Sequence, residues 1–292
     1  MVDINLNLYR IFFVLANSKT FIEASEKLCI SQPAVSKHIK NLEQSLNIKL
    51  FHRDNTGLKL TTEGRELLEY IEKSYNILIA GQRKIMENQN LDHGSIIIGA
   101  PSHIASFYLM NFIRLFRNDY PGIFIRIISG STSFLLEELK QHKIDFMIDS
   151  SPIEFDFSNL IVEKLISFDT CFITHKQSLS NIKHEDLEKH EYIMPVERSN
   201  IRKNIEIELR KNNIKLPVVL EVETTELIID AVKNDIGIGY VIKEAVKNEI
   251  IKENLFVINS EHELPKIELN LVYINEYLTM ASKKIINDYI KK

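Results

Sequence analysis

The first fifty residues contain three successive segments in which apolar residues recur at helical spacing. The apolar positions of the first segment are Leu8, Ile11, Phe12 and Leu15. The second segment starts with a capping box, in which the Thr20 hydroxyl and the Glu23 carboxylate satisfy opposing backbone amides. The third segment starts after Ser31, a favoured N-cap residue, and tolerates Pro33 because first-turn amides have no intrahelical acceptor. The pattern therefore predicts three short helices joined by turns.

The third predicted helix has one apolar face and one polar face. Its apolar stripe consists of Val35, Ile39, Leu42 and Leu46. The opposite face presents Pro33, Ser36, Lys37 and Lys40, with Gln32 at its N-terminal end. These side chains suit DNA: glutamine pairs with adenine, proline meets thymine methyl groups, and serine and lysine bind bases or phosphate. We expect this face to be a recognition surface, although the same spacing fits a three-helix core whose polar face is merely solvated.

Two features favour DNA binding over a solvated surface. Residues 50–51 and 58–60 have strand-like apolar positions and flank Arg53 and Gly57, which predicts a wing of two short strands joined by a glycine-containing turn. We expect Arg53 on this wing to contact the phosphate backbone. The chain has a net charge of −4, but residues 1–65 hold nine Lys and Arg against six Asp and Glu. Because phosphate attraction acts over about 10 Å, this local excess of positive charge matters more than the total.

These motifs, taken in order, resemble those of the LysR-type transcriptional regulators. The matching positions are Phe12 to Ala16, Thr20 to Ala24, Leu28, Ile30 to Ser36, Ile39, Leu42, Glu43, Leu46, Leu50, Phe51, Arg53, Leu60, Thr61 and Gly64. Two positions depart from the family's usual pattern: Ser25 stands where alanine is common, and Asn47 where glycine is common. The resemblance implies that residues 1–61 form a winged helix-turn-helix DNA-binding domain.

Residues 62–90 are predicted to form one long linker helix, which Thr61 or Thr62 can cap. Residues along it repeat with alternating spacings of four and three, as in the seam of a coiled coil. The seam consists of Gly64, Leu68, Ile71, Tyr75, Leu78, Gln82 and Ile85. Such a stripe has to be buried, either against the chain's own domain or against a partner. The resemblance implies a second copy of the chain, giving a dimer that reads a two-fold DNA site, and further a tetramer built from two dimers.

Beyond residue 91, short apolar strands alternate with amphipathic helices. Strands are predicted at 96–98, 124–128, 145–148, 160–166, 171–174, 192–194, 218–222, 236–240 and 267–273. This alternation predicts parallel sheets covered by helices on both faces, within an α+β multi-domain protein. The resemblance implies an effector-binding domain at 91–292, with two α/β subdomains like those of periplasmic solute-binding proteins. The first would contain residues 91–162 and 267–292, and the second residues 163–266.

Four hydroxyl-rich loops precede helices in this region, at positions where the ligands of open parallel sheets bind. The candidate ligand-binding residues are Ser102, His103, Ser131, Thr132, Ser199, Arg202 and Thr224. Hydroxyls with one arginine suggest a small carboxylate or a similar anion. Helix capping explains each hydroxyl equally well when it is taken alone, and it is the resemblance that implies their convergence on one interdomain cleft. Departures from the family's usual residues at His103, Lys143, Arg198 and Asn200 argue against adopting any relative's ligand.

Several chemical functions are excluded by the residues. Ser102 and His103 are adjacent, so their side chains point apart and cannot form a nucleophile and base. The run Gly237–Gly239 lacks the third glycine of a dinucleotide fingerprint, and the sequence has no P-loop. The histidines lack zinc-binding spacing, and Cys29 and Cys171 form no redox or metal motif. We therefore expect no catalytic residue, no cofactor and no metal.

The composition is that of an ordinary globular protein, with 45% hydrophobic and 26% charged residues. The longest N-terminal apolar stretch, residues 11–16, is too short to span a bilayer and does not form a secretory signal. We therefore expect a cytoplasmic protein without a membrane partner.

Together these patterns predict an effector-responsive transcriptional regulator whose partners are double-stranded DNA, a small-molecule effector and further copies of itself. A ligand in the cleft would shift the orientation of the two subdomains and, through the oligomer, the spacing or bend of DNA. The resemblance also implies contact with RNA polymerase and activation or repression of a promoter. One alternative is a solute-binding module whose N-terminal helices contact another protein, and a second is an enzyme with a regulatory helical domain. The polar face of the third helix, combined with Arg53 on the wing, argues against the first alternative.

Overall fold

The structure is a computed structural model that describes residues 5–54, 57–86, 91–155, 157–182, 184–252, 254–259 and 264–292. The chain divides into two compact units, Met1–Gln82 and Arg83–Lys292. No helix in the described part of the chain combines the length and the apolar character needed to cross a membrane.

The first unit is a winged helix-turn-helix followed by a long helix. Its elements are α1 Leu6–Ala16, α2 Phe21–Leu28, α3 Gln32–Leu46, β1 Phe51–Asp54, β2 Gly57–Leu60 and α4 Thr62–Met86, of which the residues from Arg83 onward belong to the second unit. The strands β1 and β2 are antiparallel, with Phe51 opposite Leu60. The helices share one apolar core of Ile11, Phe12, Leu15, Ala24, Leu28, Val35, Ile39, Leu42 and Leu50. The predicted three helices and two-stranded wing are confirmed.

Local hydrogen bonds fix the ends of these helices, with one difference from the expected capping box. The Thr20 hydroxyl accepts from the amide of Glu23 at 3.1 Å, whereas the Glu23 carboxylate accepts from the amide of Lys19 at 2.7 Å, one residue before the cap. Helix α3 starts after Ser31 and ends at Asn47, whose φ of 55° lies in the left-handed region. Asparagine adopts this conformation more readily than other side chains, so glycine is not required at the end of α3.

A buried carboxylate holds the start of the wing against α3. Glu43 is 7% exposed, and its Oε1 accepts hydrogen bonds from the amides of Leu50 at 2.9 Å and Phe51 at 3.4 Å. Its Oε2 accepts from Lys49 Nζ at 2.8 Å. Burial raises the pKa of Glu43, but these three donors outweigh burial and hold the pKa below its ordinary value. The packing of the wing therefore depends on a polar group inside an otherwise apolar core.

The first half of α4 packs on the helix-turn-helix of its own chain. Gly64 lies so close to Leu50 that a Cβ would come within 2.2 Å of the Leu50 carbonyl oxygen. Ile71 packs on the same core, and the ring of Tyr75 lies 4.8 Å from that of Phe13. This part of the predicted seam is thus covered within the chain, which corrects the expectation that the whole seam is buried by a partner. Large exposed apolar residues of α4 are Tyr70, Ile77, Leu78, Ile79, Ile85 and Met86.

The second unit contains two five-stranded sheets. Its strands are β3 Gly94–Gly99, β4 Ile123–Ile128, β5 Phe146–Ser150, β6 Ile161–Phe168, β7 Thr170–Thr174, β8 Tyr192–Pro195, β9 Val218–Val222, β10 Ile238–Ile242, β11 Phe256–Ile258 and β12 Ile267–Tyr273. The first sheet has the order β4-β3-β5-β12-β6 and the second β11-β7-β10-β8-β9. The strand β12 is antiparallel to β5 and β6, and β7 is antiparallel to β10 and β11.

The sheets are therefore mixed, and the prediction of purely parallel sheets is wrong. The chain leaves the first sheet at Phe168 and returns to it at Ile267, which is the residue paired with Phe168. Because exit and return lie side by side, β12 has to run opposite to β6. The same pairing keeps all of β6 in the first sheet, so the predicted subdomain boundary after residue 162 cuts a strand.

Helices lie along both sheets. They are α5 Ser102–Ile104, a π-helical segment Ala105–Leu109, α6 Met110–Asp119, α7 Thr132–Lys140, α8 Asn200–Lys211, α9 Thr225–Lys233, α10 Lys247–Ile251, α11 Met280–Ile285 and a second π-helical segment Ile286–Ile290. Short 3-10 segments are Gln177–Leu179, His184–Lys189, Lys243–Val246 and Asn275–Tyr277. A continuous apolar core joins the two sheets, with Phe146 from the first and Phe172 from the second among its buried residues.

An ion pair within the second unit joins its first residue, Arg83, to the first sheet. Arg83 Nη2 lies 2.9 Å from Asp145 Oδ2, and the guanidinium also donates to the hydroxyl and the carbonyl oxygen of Ser95 in β3. Asp145 is buried directly before β5, and its Oδ2 also accepts from the amide of Ile97 at 2.7 Å. With these donors in place, the buried carboxylate keeps hydrogen bonds that replace its lost hydration.

We expect Glu43→Ala to lower the free energy of unfolding of the winged helix-turn-helix by about 2 kcal/mol, because it leaves the buried amide of Leu50 without an acceptor. Urea denaturation of the full chain, followed by circular dichroism, measures the change. Lys49→Ala is the matched control: it removes the exposed partner of the same carboxylate and is expected to change stability by less than about 1 kcal/mol. Equal effects of the two substitutions would contradict this role of Glu43.

Candidate functional site

The polar face of α3 is open to solvent along most of its length. Gln32, Pro33, Lys37 and Lys40 are exposed, and Ser36 is half-buried. Within the described residues, their side chains have no hydrogen bond or ion pair that would occupy them. The structure thus brings the predicted recognition residues together on one accessible face, and their contact with DNA stays a prediction.

The wing residue Arg53 is only partly described. Its backbone lies in β1 and is paired with Leu58 of β2. Its side chain lies outside the described part of the structure. The phosphate contact expected of Arg53 therefore stays a prediction as well.

A cavity of about 220 Å³ lies in the second unit, between residues attached to the two sheets. Its lining residues are Pro101, Ser102, His103, Ser129, Gly130, Ser131, Thr132, Asp149, Ser150, Val196, Arg198, Ser199, Asn200, Ile201, Glu223 and Thr224. Six of the seven predicted ligand-binding residues are among them: Ser102, His103, Ser131, Thr132, Ser199 and Thr224. Their convergence on one cavity is an observation, whereas their contact with a ligand stays a prediction.

The hydroxyl groups around the cavity have different local roles. Ser131 Oγ accepts from the amide of Phe134 at 3.3 Å, and Thr224 Oγ1 accepts from the amide of Leu227 at 3.3 Å. Both residues therefore cap helices, as the capping interpretation proposed. Ser199 precedes α8 but makes no side-chain capping hydrogen bond. Its hydroxyl is thus not used to close the helix that it precedes.

Arg202 is the predicted ligand-binding residue that the structure locates away from the cavity. It is 6% exposed, and its guanidinium donates to Glu206 at 2.6 Å and to Glu221 at 3.3 Å. A further bond at 3.3 Å joins it to the carbonyl oxygen of Pro195. The sequence suggested a loop through Arg202, but α8 starts at Asn200. Arg202 therefore lies within the first turn of the helix, where its side chain reaches the neighbouring strands instead of the cavity.

Two asparagines of α8 bond to residues at the end of β5, and one of them, Asn200, lines the cavity; the sequence pattern did not identify them as functional. Asn200 is buried, and its Nδ2 donates to the carbonyl oxygen of Ser150 at 2.5 Å and to Thr132 Oγ1 at 3.1 Å. One turn later, Asn204 Nδ2 donates to the carbonyl oxygen of Ser151 at 2.8 Å. The second unit thus has two α/β halves, one around each five-stranded sheet. These bonds join α8, in the half with the second sheet, to the end of β5 in the half with the first sheet. The spacing of four between the asparagines was the available signal, because it places both on one helix face.

Asp149 is a second lining residue that sequence reasoning missed. Its carboxyl group is 2% exposed; Oδ1 accepts from the amide of Ser150 at 2.7 Å, and Oδ2 has no hydrogen-bond partner within the described residues. Burial raises the pKa of Asp149 to about 6, and the neighbouring groups of Thr132 and Ser150 only partly oppose this effect. The cavity is therefore bordered by a carboxylate that lacks a full set of donors.

The remaining charged groups at the cavity are neutralised. Arg198 forms an ion pair with Glu223, and both side chains are largely exposed. Burial lowers the pKa of His103 to about 4 against the opposing charge of Glu226, so His103 is neutral at pH 7. The described residues contain no group of His, Cys, Asp and Glu side chains arranged to hold a metal ion.

The raised pKa of Asp149 predicts a pH-dependent cost to stability. The folded state binds the proton more tightly than the unfolded state does, so ionisation of Asp149 destabilises the fold above pH 6, and the cost disappears below about pH 4. A pKa near 6 corresponds to a cost of about 3 kcal/mol. We expect Asp149→Asn to remove it, so that the variant and the wild type are similarly stable at pH 4 and the variant is more stable at pH 7.

Urea denaturation at a series of pH values tests this expectation. The matched control is Asp230→Asn, which neutralises an exposed carboxylate of α9 and should give no such pH-dependent difference. A stability difference between Asp149→Asn and the wild type that stays constant from pH 4 to pH 7 would rule out ionisation of Asp149 as its cause.

Two family models match the chain. One, described as "Bacterial regulatory helix-turn-helix protein, lysR family", matches residues 6–65. The other, "LysR substrate binding domain", matches residues 89–286. Together the two matches include α3 and every residue of the cavity described above.

Known proteins are similar to the chain over nearly its whole length. A "Probable RuBisCO transcriptional regulator" from Cyanidium caldarium is 30% identical over 286 residues, which cover 95% of this chain and 90% of that protein. A full-length OxyR variant from Pseudomonas aeruginosa superimposes with a TM-score of 0.72 at 18% identity, covering 99% of this chain and 95% of its own. DarR from Vibrio fischeri, solved in complex with DNA, gives a TM-score of 0.62 at 16% identity, with 99% of both chains covered.

The two solved structures have the same fold as this chain. The family models in addition match its amino-acid sequence. LysR-type regulators are non-enzymatic DNA-binding proteins that respond to small-molecule effectors and form oligomers. The chain belongs to the LysR family of bacterial transcriptional regulators.

Proposed function

We propose that the chain is a transcriptional regulator whose α3 reads DNA bases and whose cavity binds a small carboxylate or a similar anion. The main support is that α7, α8 and α9 all begin at one cavity, in a chain that also exposes a polar helix face suited to DNA. Ligand binding would bias the orientation of the two α/β halves and thereby the spacing or bend of the DNA bound by the oligomer.

The DNA-binding half of the proposal rests on the first two turns of α3. Gln32 and Ser36 lie one turn apart, so both project from the end of the helix that enters a major groove in helix-turn-helix proteins. Their hydrogen-bonding groups would read base edges. Lys37 and Lys40, which are exposed beside them, would bind phosphate and supply affinity without sequence preference.

The ligand-binding half rests on helix N-termini. The first amides of α7, α8 and α9 have no intrahelical acceptor, and the helix dipole adds partial positive charge at the same ends. A carboxylate in the cavity would accept hydrogen bonds from these amides and from the Ser199 hydroxyl, which makes no capping hydrogen bond. No arginine is needed for this mode of binding, which agrees with the position of Arg202 in other ion pairs.

The remaining parts of the proposal concern partners. Exposed Leu78 and Ile85 on α4 would pair with the same helix of a second copy, and two dimers would form a tetramer. The protein would act in the cytoplasm, where it would activate or repress a promoter through contact with RNA polymerase.

We expect Gln32→Ala and Ser36→Ala to relax sequence preference by ~1–3 kcal/mol at a single base pair of the site. Lys37→Ala and Arg53→Ala should instead weaken binding to all sequences alike and reduce the dependence of affinity on salt. Selection of sites from a random-sequence DNA library, followed by mobility-shift titration, measures both effects.

Lys211→Ala, on an exposed position of α8, is the control for loss of one positive charge and should leave DNA affinity unchanged. The DNA-binding assignment fails if the wild type enriches no sequence. It also fails if the Gln32 and Ser36 variants retain the full preference of the wild type at every position.

We expect Ile85→Glu to convert the oligomer to a smaller species, because Ile85 is 85% exposed in the single chain and a charge there would oppose burial between two helices. Sedimentation equilibrium measures the mass of the wild type and the variant. Lys73→Glu, an exposed charge reversal on another side of α4, is the control and should leave the mass unchanged. An unchanged mass for Ile85→Glu would show that Ile85 does not lie in the interface between the copies.

A further inference from the structure

We propose that the ligand of the cavity is a small zwitterion, whose carboxylate meets the N-terminal ends of α7, α8 and α9 and whose protonated amine donates to Asp149. The carboxylate half of this assignment rests on the proposed function. The amine half rests on Asp149 and on the charge balance of the cavity, and it narrows the ligand from any small anion to molecules of the amino-acid type.

The hydrogen bonding of Asp149 is incomplete. Its Oδ1 accepts from the amide of Ser150 at 2.7 Å and from the Ser150 hydroxyl at 3.4 Å. The Thr132 side chain is near enough to lower the pKa of the carboxyl group, but Oδ2 has no partner with hydrogen-bond geometry within the described residues, and the residue is 2% exposed. A buried carboxylate oxygen without a donor is unfavourable, and buried polar groups in folded proteins almost always have partners. A donor supplied by a ligand would remove this deficit.

The charge of Asp149 is not balanced by another side chain of the cavity lining. The charged side chains that line the cavity are Asp149, Arg198 and Glu223. Arg198 is already paired with Glu223, so Asp149 is left with one uncompensated negative charge. His103 cannot compensate it, because burial keeps that imidazole neutral at pH 7. The Asp149 carboxylate would repel a ligand that carried only negative charge. It would attract a ligand that carried an ammonium group beside its own carboxylate.

The amine would reach Asp149 past two side chains that are bonded to each other. Oδ2 is buried, so a ligand contacts it only after neighbouring side chains move. Thr132 and Asn200, which are bonded to each other at 3.1 Å across the cavity, lie at this place: Thr132 is a close neighbour of Asp149, and Asn200 is bonded to Ser150. Entry of the amine would therefore separate two side chains that hold the α/β halves together, which couples ligand chemistry to subdomain orientation.

The cavity volume is consistent with a ligand of this size. About 220 Å³ is below the usual 300–1,000 Å³ range of drug-sized ligand sites. A molecule with a carboxylate, an amine and a short side chain suits this space better than a large aromatic acid does.

The test is isothermal titration calorimetry on the full-length protein with three matched sets of probes. The sets are the common L-amino acids, the acids of the same carbon skeleton without the amine, such as propionate and succinate, and the amines without the carboxylate, such as ethylamine and cadaverine. We expect at least one amino acid to bind, with a Kd at least tenfold lower than those of its acid and amine counterparts.

Asp149→Asn, which keeps the size of the side chain, should raise the Kd for that amino acid at least tenfold and leave the Kd for its acid counterpart within about twofold. Asp230→Asn, away from the cavity, is the control and should change neither value.

Equal binding of the amino acids and the acids would overturn the role of Asp149 while leaving the proposed carboxylate site intact. Amines that bind as tightly as the amino acids would overturn the zwitterion, because the carboxylate would then contribute nothing. Absence of binding by all three sets also overturns it, and the DNA selection described above then decides separately whether the chain is a sequence-specific regulator.

Discussion

The ion pair between Arg83 and the buried Asp145 fixes the first residue of the second unit at the start of β5, the strand that also borders the cavity. Asp145 directly precedes β5, and β5 ends five residues later at Ser150, beside Asp149 in the lining of the cavity. Every residue of β5 is buried. Because close-packed interiors deform little, a shift at the cavity end of such a strand is passed to its other end. One short strand thus runs from the Arg83–Asp145 ion pair to the lining of the cavity.

The local features of the fold were predictable, and the sheet directions were not. Capping residues such as Thr20 and Ser31 act within one turn, so their sequence spacing is sufficient to locate helix starts. The direction of β12 depends on its pairing with β6, a strand roughly a hundred residues earlier in the chain. Hydrophobic periodicity contains no information on such a pairing, and a continuous apolar run fits a parallel or an antiparallel neighbour.

In the candidate site too, the local features were predictable from the sequence and the features that depend on distant contacts were not. Hydroxyl residues at helix starts were predictable, since capping chemistry selects them there whether or not they bind a ligand. Arg202 was misjudged because α8 starts three residues earlier than the sequence suggested, and from the first turn of the helix its side chain bonds to Glu206 and Glu221. Asp149 was missed because it follows the apolar residues 146–148, and sequence alone does not reveal that a carboxyl group at a strand end lacks donors.

The bonds of Asn200 across the cavity have a consequence for the sensitivity of the regulator. A molecule that enters between Asn200 and its acceptors, Thr132 and the Ser150 carbonyl, first has to compete with an amide that belongs to the protein itself. Each hydrogen bond broken without replacement, at about 1 kcal/mol, weakens the apparent affinity roughly fivefold. A ligand of the proposed type would therefore bind in competition with these internal bonds, and a higher ligand concentration would be needed for half-occupancy.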